Sequence, residues 1–169
     1  GDVALDYEDI YWVEMRPAEG GRMVVVKRTP TGKIKDVTPD PFSARTKVHE
    51  YGGGPYLVHE GTVYFSNYSD QRIYRQELGG EPWPITPEVD MRYADGCYDA
   101  GRNRVICVRE DHTRGGEPVN AIVAVDALGQ AEQVILTQGS DFCSTPRINP
   151  EGTTLAWLTW DHPNMPWDG

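Results

Sequence analysis

Long apolar runs are missing from this 169-residue chain. The longest, such as Met23–Val26 and Ala121–Val125, are a few residues each, far short of the roughly 20 that a membrane helix needs. No charged segment followed by an apolar stretch opens the sequence, so no secretory signal is visible. Basic residues are in deficit, 16 against 26 acidic, for a formal charge of -10. Such a surface repels nucleic acid and anionic membrane, and neither is expected as a partner. Cysteine is sparse: Cys97, Cys107 and Cys143 form no C-x-x-C pair, which argues against a zinc knuckle or redox dithiol and for free, partly buried thiols in a reducing, cytoplasmic setting. Helical periodicity is also lacking.

What is present is short apolar text punctuated by 18 glycines and 13 prolines. Runs rich in Val, Ile, Tyr and Trp have strand length, and the class they predict is all-β. One type of run recurs as Asp9–Val13, Thr62–Phe65, Arg104–Val108 and Thr154–Leu158, about every 40 to 55 residues. These runs are almost continuously apolar, as expected of strands buried on both faces. Before three of them lies a short run and tight turn: Pro55–Val58 with His59-Glu60-Gly61, Cys97-Tyr98 with Asp99–Asn103, and Pro146–Ile148 with Asn149–Gly152. After them come hairpins turning at Thr31-Gly32, Gly79-Gly80 and Leu128-Gly129, where glycine supplies the left-handed backbone a tight turn requires.

The repeating unit is therefore four antiparallel strands, a to d, resembling one blade of a β-propeller. A β-sandwich or meander barrel would not produce the four-part recurrence. The expectation is a partial propeller of about three four-stranded blades, with units near 1–40, 55–87, 95–138 and an incomplete 144–169. On this reading the chain opens at a b strand and carries four b strands but three each of a, c and d. It looks like a fragment, whose open edges invite self-association.

In such a meander the a–b and c–d turns lie at one end and the b–c and d–a connections at the other. The latter are long and hold the unusual clusters, so one face carries the candidate site. Val48–Gly54 sets His49, Glu50 and Tyr51 beside a triglycine. Glu50 could accept a cationic amine while His49 handles a proton; equally, the glycines could admit the chain near the central tunnel while His49 and Glu50 hold the loop. Ser66–Arg72 reads as a polar turn capped by its Asn and Asp. Arg109–Glu117 reads as a solvated mixed-charge loop, in which Asp111 and His112 invite a dyad reading without an evident nucleophile. Trp160–Asp168, with His162 and Trp167, is either a rigid docking ledge or a plug for its own blade. The histidines at 49, 59, 112 and 162 lack metal-ligand spacing, and no Gly-x-Ser-x-Gly, Rossmann or calcium-loop pattern occurs. No catalytic residue, cofactor or metal is expected.

The segments VHEYGGG (48–54), YFSNYSDQRIYR (64–75), VREDHTRGGEPVNAIVAVD (108–126) and WLTWDHPNMPWDG (157–169) together resemble the propeller of bacterial prolyl oligopeptidase-family serine peptidases, in the acylaminoacyl peptidase or dipeptidyl aminopeptidase branch. That resemblance implies a parent whose propeller restricts peptide access to an α/β-hydrolase domain with a Ser, Asp, His triad. The hydrolase part is not in this sequence, so no catalytic residue carries over. The implied partners are a peptide substrate and that hydrolase domain, with His49, Glu50, Tyr51, Asp111, His112, His162 and Trp167 as candidate contacts. Some relatives grip the substrate's N-terminus with a glutamate pair; here a single Glu50 follows His49. The alternative is a TolB-like propeller module for protein binding, unconnected to an enzyme. A glycosidase-like propeller would need clustered carboxylates on the long-loop face.

Overall fold

The computed structural model describes residues 3–168. Gly1, Asp2 and Gly169, which belong to the expected ranges 1–40 and 144–169, lie outside the described residues. The first sheet contains β1 (Ala4–Asp6), β2 (Asp9–Arg16), β3 (Arg22–Arg28) and β4 (Ile34–Asp36). The second contains β5 (Tyr56–His59), β6 (Thr62–Ser66), β7 (Ile73–Gln76) and β8 (Trp83–Pro84). The third contains β9 (Met91–Asp99), β10 (Arg104–Asp111), β11 (Val119–Asp126) and β12 (Val134–Gln138); a pair, β13 (Phe142–Ile148) and β14 (Leu155–Trp160), follows. Each sheet is an antiparallel meander in sequence order. The fold is all-β, a partial propeller with three four-stranded blades and the first two strands of another.

The near-continuous apolar runs follow from burial on both faces of the b and c strands. In β10, Val105 and Cys107 pack toward the second blade with Tyr64, Ile73 and Ile85. Their alternates Ile106 and Val108 pack toward the fourth with Ala94 and Cys143. Between the first two blades lie Tyr11, Val25, Val63 and Phe65, all at most 1% exposed. Each such aliphatic side chain stabilises the fold by about 1.5–3 kcal/mol on burial. The recurrent Thr-Pro at the end of the d strands also has a role: the Val25 N–H donates to Thr38 Oγ1 at 3.0 Å and the Ile73 N–H to Thr86 Oγ1 at 2.9 Å. A threonine hydroxyl thus satisfies a buried c-strand donor where the ladder ends.

One expectation is corrected. The chain does not open at a b strand, because β1 is an a strand paired with β2, Ala4 opposite Tyr11. It is three residues long and Leu5 is 72% exposed, so no buried face left a periodic signal. The described residues therefore hold four a strands, not three. All three cysteines are free, and no described helix is long and apolar enough to cross a membrane.

Candidate functional site

The connection from β4 to β5 crosses the long-loop face and presents His49 and Glu50 in an unusual backbone state. Both are non-glycine residues with left-handed φ, 55° and 63°, and Gly52 follows at 92°. Such a stretch persists only when its surroundings hold it. The triglycine is there for close approach: a Cβ on Gly53 would sit 2.8 Å from Asp95 Oδ1 and 3.0 Å from Ala94 Cβ.

The holding group is Glu110, near the end of β10. Its side chain is 3% exposed, and Oε1 accepts the backbone N–H of His49 at 2.6 Å. On the other oxygen it meets His112 Nε2 at 3.2 Å, with Arg92 Nη1 at 3.8 Å. Burial pushes the Glu110 carboxyl up, but hydrogen bonds from His49 and His112 outweigh it and hold the group below the usual carboxylate range. Arg92, on β9, also donates to the Lys47 carbonyl at 3.0 Å and to Glu50 Oε1 at 2.5 Å. His49 Nε2 lies 3.1 Å from the Cys143 carbonyl; a carbonyl only accepts, so this nitrogen carries a proton. Its Nδ1 is 3.2 Å from Glu110 Oε1 without the alignment of a hydrogen bond.

Aromatic rings close the other side. The His49 ring is 5.7 Å from Tyr51, 5.6 Å from Phe142 and 5.3 Å from Trp160, centroid to centroid. Phe142 stacks on Trp160 at 5.3 Å and 14°, and His162 lies 4.8 Å from Phe142. Burial, and then the Asp95 and Glu110 charges, push the Tyr51 hydroxyl above its ordinary value. These groups line a pocket of about 470 Å³ that also receives Glu117 and Met165. It adjoins a smaller one of about 330 Å³ through Glu117, Pro118, Phe142 and His162. Rings beside carboxylates suit a ligand with a positive group on an apolar body.

Five of the seven residues singled out from sequence meet here: His49, Glu50, Tyr51, His112 and His162. Asp111 does not line the pocket; its carboxylate accepts the N–H and hydroxyl of Thr113 at 3.0 and 2.6 Å. Trp167 stands outside it, 74% exposed. The Asp111–His112 dyad is not formed, because His112 turns to Glu110. The reading of 109–117 as a solvated loop is corrected at its start, because β10 continues through Asp111 and Arg109 and Glu110 are buried at 6% and 3% exposure; residues 113–117 form an exposed turn. Glu110 and Arg92 were both missed as pocket residues. Continuing the two-residue alternation of Ile106 and Val108 reaches Glu110, and that was the available signal. No Ser, Thr, Cys or Lys lines the pocket among the described residues. No group of three or more described His, Cys, Asp or Glu residues is placed to hold a metal ion.

No family model matches the chain, and no curated protein matches it. Solved structures do. Over 98% of its length it is similar to a Mycobacterium tuberculosis puromycin-hydrolyzing peptidase, at 38% identity and TM-score 0.89. It is similar over the same share to a puromycin hydrolase, at 33% identity and TM-score 0.90. The chain spans 28% of the length of each. TolB from Acinetobacter baumannii, at 16% identity and TM-score 0.59 over 88% of the chain, shares the fold alone. This chain is a partial β-propeller matching the propeller part of prolyl oligopeptidase-family peptidases.

Proposed function

We propose that this chain is a non-catalytic portion of the gating propeller of a serine peptidase of the acylaminoacyl or dipeptidyl aminopeptidase type. Its long-loop face meets the substrate chamber or the hydrolase domain. The observation that carries this reading is the match, at 38% and 33% identity over 98% of the chain, to peptidases that hydrolyse puromycin. The pocket supports it. Glu50 is exposed for 81% of its side chain and held by Arg92 alone among the described residues, so a substrate's cationic amine can compete for its carboxylate beside the Tyr51, Phe142 and Trp160 rings. The buried Glu110 and His49 act by positioning that loop. The TolB-like binding module has less behind it, since that likeness extends only to the fold.

Fluorophosphonate labelling, read by intact mass, tests the reading on this chain and on the product of its complete reading frame. The expected result is one adduct on the longer product and none on this chain. A longer product that remains unlabelled would overturn the peptidase reading. Gating is tested separately, by deleting this region from the labelled enzyme: cleavage of long peptides should rise relative to short ones, and an unchanged ratio would remove the gate.

A further inference from the structure

A second group on the long-loop face has opposite electrostatics. The guanidinium carbon of Arg45 lies 4.8 Å from the centroid of the Tyr68 ring, and Nζ of Lys47 lies 4.7 Å from the same centroid. Neither cation forms an ion pair with a described carboxylate. The carboxylates close in sequence are engaged elsewhere: Asp70 accepts from Asn67 and from the Tyr74 hydroxyl, and Glu50 accepts from Arg92.

The backbone beneath these side chains is fixed. Arg45 N–H donates to the Ser66 carbonyl at 3.0 Å, Tyr68 N–H to the Ser43 carbonyl at 2.9 Å, and Lys47 N–H to Gln71 Oε1 at 2.7 Å. An isolated bridge, Ala44 to Asn67, lies between them. Two like charges are thus gathered on one ring by a cross-linked backbone, in a chain whose net charge is -10. Neither charge is neutralised by a carboxylate within the described residues, and an anion within reach of both would offset them. A planar carboxylate suits the site: guanidinium binds it through two parallel donors, and ammonium adds a point charge.

We infer that Arg45, Lys47 and Tyr68 form a carboxylate clamp on the long-loop face, which takes the C-terminal carboxylate or an acidic side chain of a peptide. The choice of a peptide rests on the proposed peptidase reading; the clamp itself rests on the cation pair. The clamp and the Glu50 pocket share the loop from Arg45 to Tyr51, so one face offers separate places to negative and positive groups.

The test is an NMR titration of this chain, following the Tyr68 ring protons and the Arg45 Nε–Hε signal at low ionic strength. Three N-acetylated probes keep the amine pocket out of the measurement: Ala-Ala-Ala free acid, Ala-Ala-Ala amide and Ala-Glu-Ala amide. The clamp predicts saturable shifts with the free acid, with the glutamyl amide or with both, and none with the Ala-Ala-Ala amide. A response to the free acid alone assigns the C-terminal carboxylate; a response to the glutamyl probe alone assigns an acidic side chain. Arg45→Gln and Lys47→Gln should each weaken binding about two- to fivefold, and added salt should do the same. Both replacements leave the backbone cross-links in place, and an unchanged amide spectrum checks that each variant is folded. Equal response to the neutral amide, absence of response to both carboxylate probes, or undiminished binding in the folded double variant would overturn the clamp. None of these results bears on fluorophosphonate labelling, so the clamp can fail while the peptidase reading stands.

Discussion

Glu110 accepts the backbone N–H of His49 at 2.6 Å across a sequence separation of 61 residues. That bond ties the end of a central strand of the third blade to a connection between the first two, where His49 and Glu50 both hold left-handed backbone. The side chain that fixes the loop is the one that also gathers His112 and approaches Arg92. The loop that enters the pocket is thus anchored from within a packed strand, and one buried carboxylate holds it at His49.

Replacing that carboxylate should show the dependence. Glu110→Gln keeps the size and one acceptor but removes the charge, and a cost of about 1–3 kcal/mol in unfolding free energy is expected. Glu110→Ala leaves its partners unpaired and should cost about 3–5 kcal/mol. Hydrogen exchange separates local from global effects: the His49 amide should exchange faster in Glu110→Gln by more than the loss of global stability. Equal changes throughout the chain would mean the loop is held by something else.

The same group sets a pH dependence. Burial raises the Glu110 carboxyl, hydrogen bonds from the two histidines more than offset that, and the folded value is depressed. The stabilisation is therefore complete above the unfolded value, about pH 4.3, and is lost as pH falls through the depressed folded value. Asp99 has the same sign: burial raises it, and Arg104 and Arg102 more than offset that. Stability measured by urea unfolding should fall on acidification below about pH 4.3, and less steeply in Glu110→Gln. Parallel curves for the two proteins would exclude Glu110 from the acid response.

The b and c strands were legible in sequence because burial on both faces writes an uninterrupted apolar run, as in Val24–Val26, each fully buried. The a strands were less so. In β9 the alternation breaks at Asp95, φ 58°, and in β13 at Thr145, φ 46°; both sites coincide with register shifts against the neighbouring strand. Sequence text therefore showed only Cys97-Tyr98 and Pro146–Ile148, the halves after the break. The pocket was legible through its loops, since His49, Glu50, Tyr51, His112 and His162 are unusual residues on long connections. Its anchors were not. Glu110 is flanked by Arg109, Asp111 and His112, a context that reads as solvated, and Arg92 sits in the half of β9 that periodicity concealed.

Those breaks have a structural use at Asp95. Its Oδ1 accepts the Gly54 N–H at 2.6 Å and its Oδ2 accepts the Thr145 N–H at 3.0 Å, so one side chain joins β9 to the chain entering β5 and to β13. Hydrogen bonds to a charged acceptor contribute about 1.5–3 kcal/mol each. Asp95→Ala should lose both, and Asp95→Asn should keep one acceptor and lose less. Chemical denaturation of the two variants gives the order. An Asn variant as damaged as the Ala variant would show that the charge, and not the number of acceptors, joins the blades.

Gly129 and Gly115 share a left-handed φ, 69° and 68°, but differ in what a side chain would meet. At Gly115 nothing lies within 4 Å of a new Cβ, so Gly115→Ala carries only the backbone strain, about 1–2 kcal/mol. At Gly129 the Cβ would sit 2.9 Å from the Cα of Ile85 and 3.3 Å from its carbonyl oxygen. That neighbour is backbone, and Ile85 is itself 6% exposed within the core between the second and third blades. It cannot rotate away, so the blades must separate at their outer edge. Gly129→Ala should therefore exceed Gly115→Ala by about 1–3 kcal/mol, the usual cost of overpacking. Thermal melts of the pair decide it, because equal losses would mean that the β11–β12 turn gives way freely and that the contact at Ile85 does not set the spacing of the blades.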